Sequence, residues 1–393
     1  MKHRFFFTLV LIFFPVLGLC QGWNVELLSS LFLDEAVKIA VDDDMAYIAS
    51  GYHGFFIVDI SDPTNPVQVG QYATPGHAWG LTVSGNYVYV AAMDSGLRVI
   101  DVSDPSAPFE VGYCYTTLLP YQGPCDAAIY GRYAYVAVYD WGLSVVDIMD
   151  PANPHEVGAC YTGYVVGVAA LGNKACMANG SDQMKIVDAT NPANPFVVGY
   201  LSTAGFIYDV AVSVIYAYTA NEYYDLQVVD LSDVTNPRIV GMLSVPSEAA
   251  AVAVTGNCAF VAARFEGLRV IDVANPDAPV EVGYYDILGE SIDVAVAGIY
   301  AYIVDWNYFY IFDCSQAIAF FQVDLTISVH NEDVILRWET IPDAIHYRIY
   351  YQDTPYFEPT GIAQAFVSPP DTTWVDVGAV SQGKRYYQIV VYY

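Results

Sequence analysis

One segment recurs along this chain at a nearly fixed interval, and that recurrence limits the fold more than any other feature. Six copies read FFIVDISDPTNPVQVGQY, LRVIDVSDPSAPFEVGYC, LSVVDIMDPANPHEVGAC, MKIVDATNPANPFVVGYL, LQVVDLSDVTNPRIVGML and LRVIDVANPDAPVEVGYY, and FYIFDC is a shortened seventh. Their shared aspartates are Asp59, Asp101, Asp147, Asp188, Asp230, Asp272 and Asp313, at intervals of 42, 46, 41, 42, 42 and 41 residues. A period of roughly 40–45 residues with several strands per unit is what a β-propeller blade requires.

Each unit reads as four strands. In the second copy they are Gly80–Val83, Tyr87–Ala91, Leu97–Val102 and Phe109–Tyr113, the first two joined by a Ser84-Gly85-Asn86 turn. Alternating small and bulky apolar residues suit sheets packed face to face around an axis. The D-x-S-D-P-x-x-P stretch is turn chemistry, since Asp and Ser cap local amides and proline ends strand pairing. A role needed seven times is structural, so the seven aspartates are read as turn caps. The composition agrees: 34 Tyr, 29 Gly and 21 Pro, with 55% apolar residues, favour short strands and tight turns.

The seventh copy stops at Asp313-Cys314 with no P-x-x-V-G strand behind it. Val25-Glu26-Leu27-Leu28, followed by Ala36–Val41, matches Val280-Glu281-Val282-Gly283 followed by Ser291–Val296. The expectation is an all-β, seven-bladed β-propeller closed by its N-terminal strand, with no exposed end left as in an open solenoid.

These motifs resemble the LVIVD-repeat family, through Phe56-Ile57-Val58-Asp59 and Val99-Ile100-Asp101 and the D-P-x-x-P turn that follows. The resemblance covers roughly residues 25–316. It implies a propeller on an exported protein, and it carries no catalytic or binding residue over to this chain.

The period stops near Phe320, and residues 321–393 read as a separate set of strands. Ile335-Leu336-Arg337-Trp338 and Gly383-Lys384-Arg385-Tyr386-Tyr387 resemble a small fibronectin type III β-sandwich. By that resemblance Trp338 is the core tryptophan and Tyr386 or Tyr387 the corner tyrosine. The sequence ends at Tyr393 before a seventh strand, so the module is either trimmed or continued elsewhere.

At the other end, Lys2, His3 and Arg4 precede an apolar run from Phe5 to Leu19, shorter than a bilayer span. Residues 1–20 therefore read as a secretory signal, with acylation of Cys20 as the weaker alternative, and residues 21–320 as the propeller. Forty-three acidic against 14 basic residues give a net charge of −29, and loss of the signal would make it about −31. Such a surface repels nucleic acid and anionic lipid, and suits a cation, a glycan or a protein partner. A secreted or cell-surface monomer without a membrane span is the expectation.

Motifs for hydrolysis, phosphate cradling or zinc are absent, as is an EF-hand loop. Asp42-Asp43-Asp44 falls at a strand turn and lacks calcium-loop spacing. Cys114 and Cys125 bracket the one enlarged interval and are candidates for a disulfide, with two free thiols as the alternative. Cys176 and Cys258 fall in apolar strands and read as buried thiols.

The richest chemistry lies in the loops joining second to third strands. Tyr52, His53, Tyr139, Trp141, Tyr223, Phe265, Trp306 and Tyr308 stand there among carboxylates and amides. Aromatic planes beside carboxylates suit sugar rings or a protein hot spot, and the competing reading is that they cover the ends of the blade cores. Aligning the repeats also places Lys38, Gly80, Asp126, Gly167, Asp209, Ala251 and Asp293 at one position near the start of the innermost strand. Asp126, Asp209 and Asp293 would converge on the axis, where carboxylates must protonate, hydrate, bind a cation such as calcium, or pair with Lys38. The reading is a binding or scaffold protein without a cofactor, using the aromatic, acidic face for a glycan or surface protein. A hydrolase or lyase at the axial mouth, and a purely structural envelope protein, are the alternatives.

Overall fold

The computed structural model describes residues 22–116, 123–180, 183–203, 205–223 and 225–318, with the backbone of six short strands beyond them. Seven antiparallel sheets follow one another, five of them made of consecutive strands alone, as the period requires. Blade one comprises Lys38–Asp42, Met45–Ala49, Phe55–Asp59 and Val67–Tyr72. The innermost strands of blades two to seven are Gly80–Ser84, Pro124–Tyr130, Gly167–Leu171, Ile207–Ser213, Ala251–Thr255 and Ser291–Ala297. Each lies beside the innermost strand of the next blade, and that of blade seven lies beside that of blade one. Among the described residues no helix is long and apolar enough to cross a membrane.

The core lies between blades. Tyr47, Phe55 and Ile57 of blade one, for example, pack on Leu81, Val88, Val90 and Ile100 of blade two. Strand alternation sends one set of side chains to each neighbouring blade, so a blade has no independent core and the apolar surface is shared around the ring.

The two halves of the repeat motif meet at one joint. In blades one to six the fourth strand bulges one residue before the V-G glycine, as at Val69 in blade one. In blades one to five that glycine then lies against the turn that follows the repeated aspartate of the next blade. A Cβ on Gly70, Gly199 or Gly241 would stand 1.9 Å from the carbonyl oxygen of Pro105, Val234 or Pro276 respectively. Gly199→Ala is therefore expected to cost about 3 kcal/mol by overpacking against backbone that cannot yield. At Gly85 (φ +57°) a Cβ meets nothing within 4 Å, so alanine there should cost only left-handed strain, about 1 kcal/mol. Urea unfolding of the two variants distinguishes them, and equal losses would show that the joint is not close-packed.

The turns are held by their own acids. Asp59, Asp101, Asp147, Asp188, Asp230, Asp272 and Asp313 each accept a hydrogen bond from the amide two residues on. The amide and hydroxyl of Ser232, with Arg238, pull Asp230 down to about 2. All seven repeated aspartates are thus turn caps in fact.

Glu26–Phe32 pairs antiparallel with Tyr308–Asp313 and supplies the outermost strand of blade seven. Its register is one residue later than the motif match implies. Ser29, not Leu28, takes the glycine's place, and its hydroxyl donates to the Pro63 carbonyl at 2.6 Å in the blade-one turn. A polar contact there replaces the close approach that glycine allows elsewhere. Upstream, Gly22–Trp23 adds a fifth strand to blade six. Asn24 turns the chain between the two blades with φ +56° and donates from its amide to the Val282 carbonyl.

Beyond the propeller, Thr326–His330, Asp333–Arg337 and Thr373–Asp376 form one three-stranded sheet. Ala365–Val367, His346–Gln352 and Tyr386–Tyr392 form another. Trp338 and residues 1–21 lie outside the described residues.

The disulfide expectation is corrected. All six described cysteines are free. Cys114 packs in the core between blades two and three, and Cys125 in the core between blades three and four. The sheet of blade three separates them, so enlarging the crossing does not bring the sulfurs together. Cys176 and Cys258 are buried thiols whose pKa burial pushes up to about 12, which leaves them unreactive.

Candidate functional site

The axial position forms as the alignment places it. Lys38, Gly80, Asp126, Gly167, Asp209, Ala251 and Asp293 each pair with an alanine or valine at the end of the second strand of their blade. The aspartates occupy alternate blades, and in each of those the inner strand bulges just before them. Every one reaches sideways into the next blade. Asp126, Asp209 and Asp293 accept the amides of Val168, Val252 and Ile39 at 3.0, 3.0 and 2.7 Å. Alternation suits this reach, because Gly167 and Ala251 leave room for the neighbouring carboxylate. Seven is odd, however, so alternation fails once around the ring, and Lys38 stands at the break.

Its ammonium lies 3.3 Å from Asp293 Oδ1 and 3.7 Å from Asp209 Oδ1. Asp126 has no cation within ion-pair reach among the described residues. Lys38 is enclosed by the inner strands, yet a quarter of its side-chain surface stays open to the water of the channel. Burial alone would pull its ammonium pKa down, but Asp209, Asp293 and Asp126 together hold it well above the ordinary lysine value. Burial pushes Asp293 up to about 7, against the opposing pull of Lys38. Asp126 is raised by burial as well, Lys38 again opposing. Lys38 is thus the counter-ion of Asp293 and Asp209, and its field reaches Asp126 as well. No group of three or more His, Cys, Asp or Glu among the described residues is arranged to hold a metal ion.

Above this ring, on the face where inner strands begin, lie the second-to-third-strand loops and the crossings between blades. Tyr52, Tyr223, Phe265, Trp306 and Tyr308 are exposed there, Tyr52 most of all at 76%. Tyr52 meets His77 edge-on, and His53 stands 3.5 Å from Asp34. Trp306 Nε1 donates to Glu290 at 3.4 Å. Two expected site residues are instead packed. Trp141 lies against Tyr161 with its Nε1 buried and unpartnered, covering the core between blades two and three. Tyr139 is half-buried and accepts the Tyr164 hydroxyl at 2.5 Å.

The crossings add residues that the loop reading missed. Tyr139, Tyr164, Phe206 and Tyr208 form a run of rings with centroids 4.6, 5.8 and 4.8 Å apart. Arg264 continues it, lying 4.8 Å over the Tyr208 ring and pairing with Glu248 and Glu290. The signal was present: Glu35, His77, Tyr164, Phe206, Glu248 and Glu290 all sit three residues before the axial position of their blade.

The model of the LVIVD repeat matches seven segments, residues 35–74, 75–116, 124–162, 162–203, 204–244, 246–287 and 288–317. The chain belongs to the LVIVD repeat family. In this LVIVD protein the last match ends where Glu26–Phe32 supplies the missing strand. No curated protein matches the chain. Among solved structures it is similar to the WD40 β-propeller domain of Doa1, with TM-score 0.59 and 12% identity over 74% of this chain and 96% of that one. It is also similar to the computationally designed Ika8 protein, with TM-score 0.56 and 11% identity over 78% of this chain and 94% of that one. At such identities the likeness concerns the fold alone.

Proposed function

We propose that this LVIVD protein is exported and acts as a binding or scaffold protein, docking a glycan or protein on the loop face of its propeller. The observation that carries the reading is the set of large rings exposed on the loop face. On the turn face the repeated acids are consumed by their own backbone amides. On the loop face Tyr52, Tyr223, Phe265 and Trp306 remain exposed beside carboxylates. Large apolar planes exposed among polar groups are the usual make-up of a binding hot spot. Export rests on the basic and apolar residues of 1–20, as a cleavable signal. The C-terminal strands divide first, second and fifth against third, fourth and sixth, which supports a fibronectin type III-like spacer.

The test is a panel of glycans and envelope proteins presented to the mature chain and to two variants. Trp306→Ala should weaken retention at least about tenfold at nearly unchanged stability, because its ring is exposed. Trp141→Ala should instead cost about 2–3 kcal/mol of stability, because its ring covers core. Retention indifferent to Trp306→Ala, and to the loss of Tyr223 and Phe265, would defeat the reading.

A further inference from the structure

Three segments of the mouth meet on one guanidinium. Arg264 stands in the second-to-third-strand loop of blade six, with Glu248 in the crossing before that blade and Glu290 in the crossing after it. The guanidinium pairs with Glu248 Oε2 at 2.7 Å and with Glu290 Oε1, and lies 4.8 Å over the Tyr208 ring. The Tyr208 hydroxyl donates to the same Glu248 Oε2, and Trp306 Nε1 to Glu290 Oε2, both at 3.4 Å. Arg264 has left-handed backbone at φ +31°, where the equivalent loop of blade one has Gly51 at +49°. An arginine kept in a conformation that favours glycine marks a place where its side chain is needed.

The flanking segments are fixed as firmly. The amide and hydroxyl of Ser291 both donate to the Arg264 carbonyl at 2.8 Å, tying that loop to the next crossing. Asp305 accepts the amides of Asn307 and Tyr308 at 2.8 and 2.6 Å and the Tyr310 hydroxyl at 2.8 Å, which sets the loop of Trp306. Gly289 approaches this loop so closely that a Cβ would stand 1.9 Å from Asp305 Oδ2. The Trp306 ring is 44% exposed. Arg264, Glu248 and Glu290 keep 23%, 34% and 25% of their side-chain surface open. Ring and charges are therefore within a ligand's reach and already ordered, so binding costs them little entropy.

The group is selective about charge. Two carboxylates share its one cation, so an anion meets Glu248 and Glu290, and a second cation meets Arg264. A neutral ligand rich in hydroxyls meets neither penalty. Its hydroxyls donate to the carboxylate oxygens in place of water, and its C–H face lies flat on the indole. Glu248 engages Arg264 and Tyr208 through the one oxygen Oε2, and Oε1 has no partner among the described residues.

We propose that this group is a subsite for a neutral glycan, with one sugar ring stacked on Trp306, its hydroxyls on Glu290, and the adjoining unit reaching Glu248. The inference rests on the reading of the loop face as the docking face and narrows it to a ligand class. A protein anchor would also cover the indole, but it would strip water from both carboxylates without supplying a hydroxyl to each.

Calorimetric titration of the mature chain tests it with neutral oligomers of glucose, galactose, mannose and N-acetylglucosamine, and with a sulfated oligosaccharide. At least one neutral oligomer should bind and change the tryptophan fluorescence, and the sulfated one should not bind. Trp306→Phe should keep the fold and abolish the fluorescence change. Glu290→Gln keeps the shape and should weaken the oligomer by at least about tenfold, and Glu248→Gln comparably. Asp233→Asn, in a turn of the opposite face, should leave it unchanged, and melting curves separate a lost contact from a lost fold. Failure of every neutral oligomer to bind, tighter binding of the sulfated one, or binding indifferent to Trp306→Ala or to Glu290→Gln would overturn the proposal. Retention of an envelope protein instead, lost in Trp306→Ala and unaffected by Glu290→Gln, would overturn it too while leaving the loop face as the docking face.

Discussion

A chain lacking residues 25–33 should melt roughly 10–20 °C below the full mature protein, or fail to fold, because blade seven would lose its outer strand with both buried flanks. The strand and its flanks place Val25, Leu27, Leu28, Leu31 and Leu33 against the cores on either side of blade seven. Two of the five are buried and the rest partly so. At about 1.5–3 kcal/mol for each fully buried side chain and less for the others, the loss is on the order of 5–8 kcal/mol. That is comparable with the whole net stability of an ordinary domain. Tyr308–Asp313 would also become an unpaired edge next to Phe309 and Phe312, which invites aggregation. Removing only Gly22–Trp23, which lies on blade six, should cost far less. If the longer truncation melts within two or three degrees of the full chain, the N-terminal strand does not hold the ring together.

Lys38→Met should be the most damaging single change at the axis, and its cost should depend on pH. Removing one partner of a buried ion pair typically costs about 3–5 kcal/mol, and partial access to channel water lowers the expectation to about 2–3 kcal/mol near pH 8. The sign follows from the carboxylates. Asp293 already has its folded pKa raised to about 7 from 3.8, so its ionisation weighs against the fold increasingly as pH rises from about 4 to 7. Without Lys38 the opposing attraction disappears, and Asp293 and Asp126 rise further. The deficit of the variant should therefore be small near pH 4–5, where Asp293 is protonated in the folded state, and full above pH 8. In the unaltered protein Lys38, raised above its usual value, keeps its contribution until strongly alkaline pH and loses it above that. Chemical denaturation of both proteins across this range checks the account. A deficit equal at pH 5 and pH 8 would mean that Lys38 acts through packing alone.

Much of this was open to reading in the chain because it depends on local spacing. The 41–46-residue interval, the turn-capping aspartates and the axial position follow from periodicity, and the structure keeps all three. Features that depend on which side of a sheet a residue faces were read less well. Cys114 and Cys125 are close in sequence, yet face cores on opposite sides of blade three. Trp141 and Trp306 occupy equivalent loops, but Tyr161 stands beside one to bury it and the other is left open. The rings at Tyr164 and Phe206 come from crossings that carry no repeated motif, so only alignment on the axial position shows them to be equivalent. The shift of one residue at Ser29 was hidden because a serine hydroxyl and a glycine's missing side chain solve the same contact in opposite ways.

Amide hydrogen exchange of the mature chain, with and without a partner found in the binding panel, tests the docking face most directly. The account predicts slowed exchange in the loops around Tyr52, Tyr223, Phe265 and Trp306 and in the crossings before Gly167 and Asp209, with the D-P-x-x-P turns unchanged. Protection confined to those turns, or to the outer strands of the blades, would contradict it.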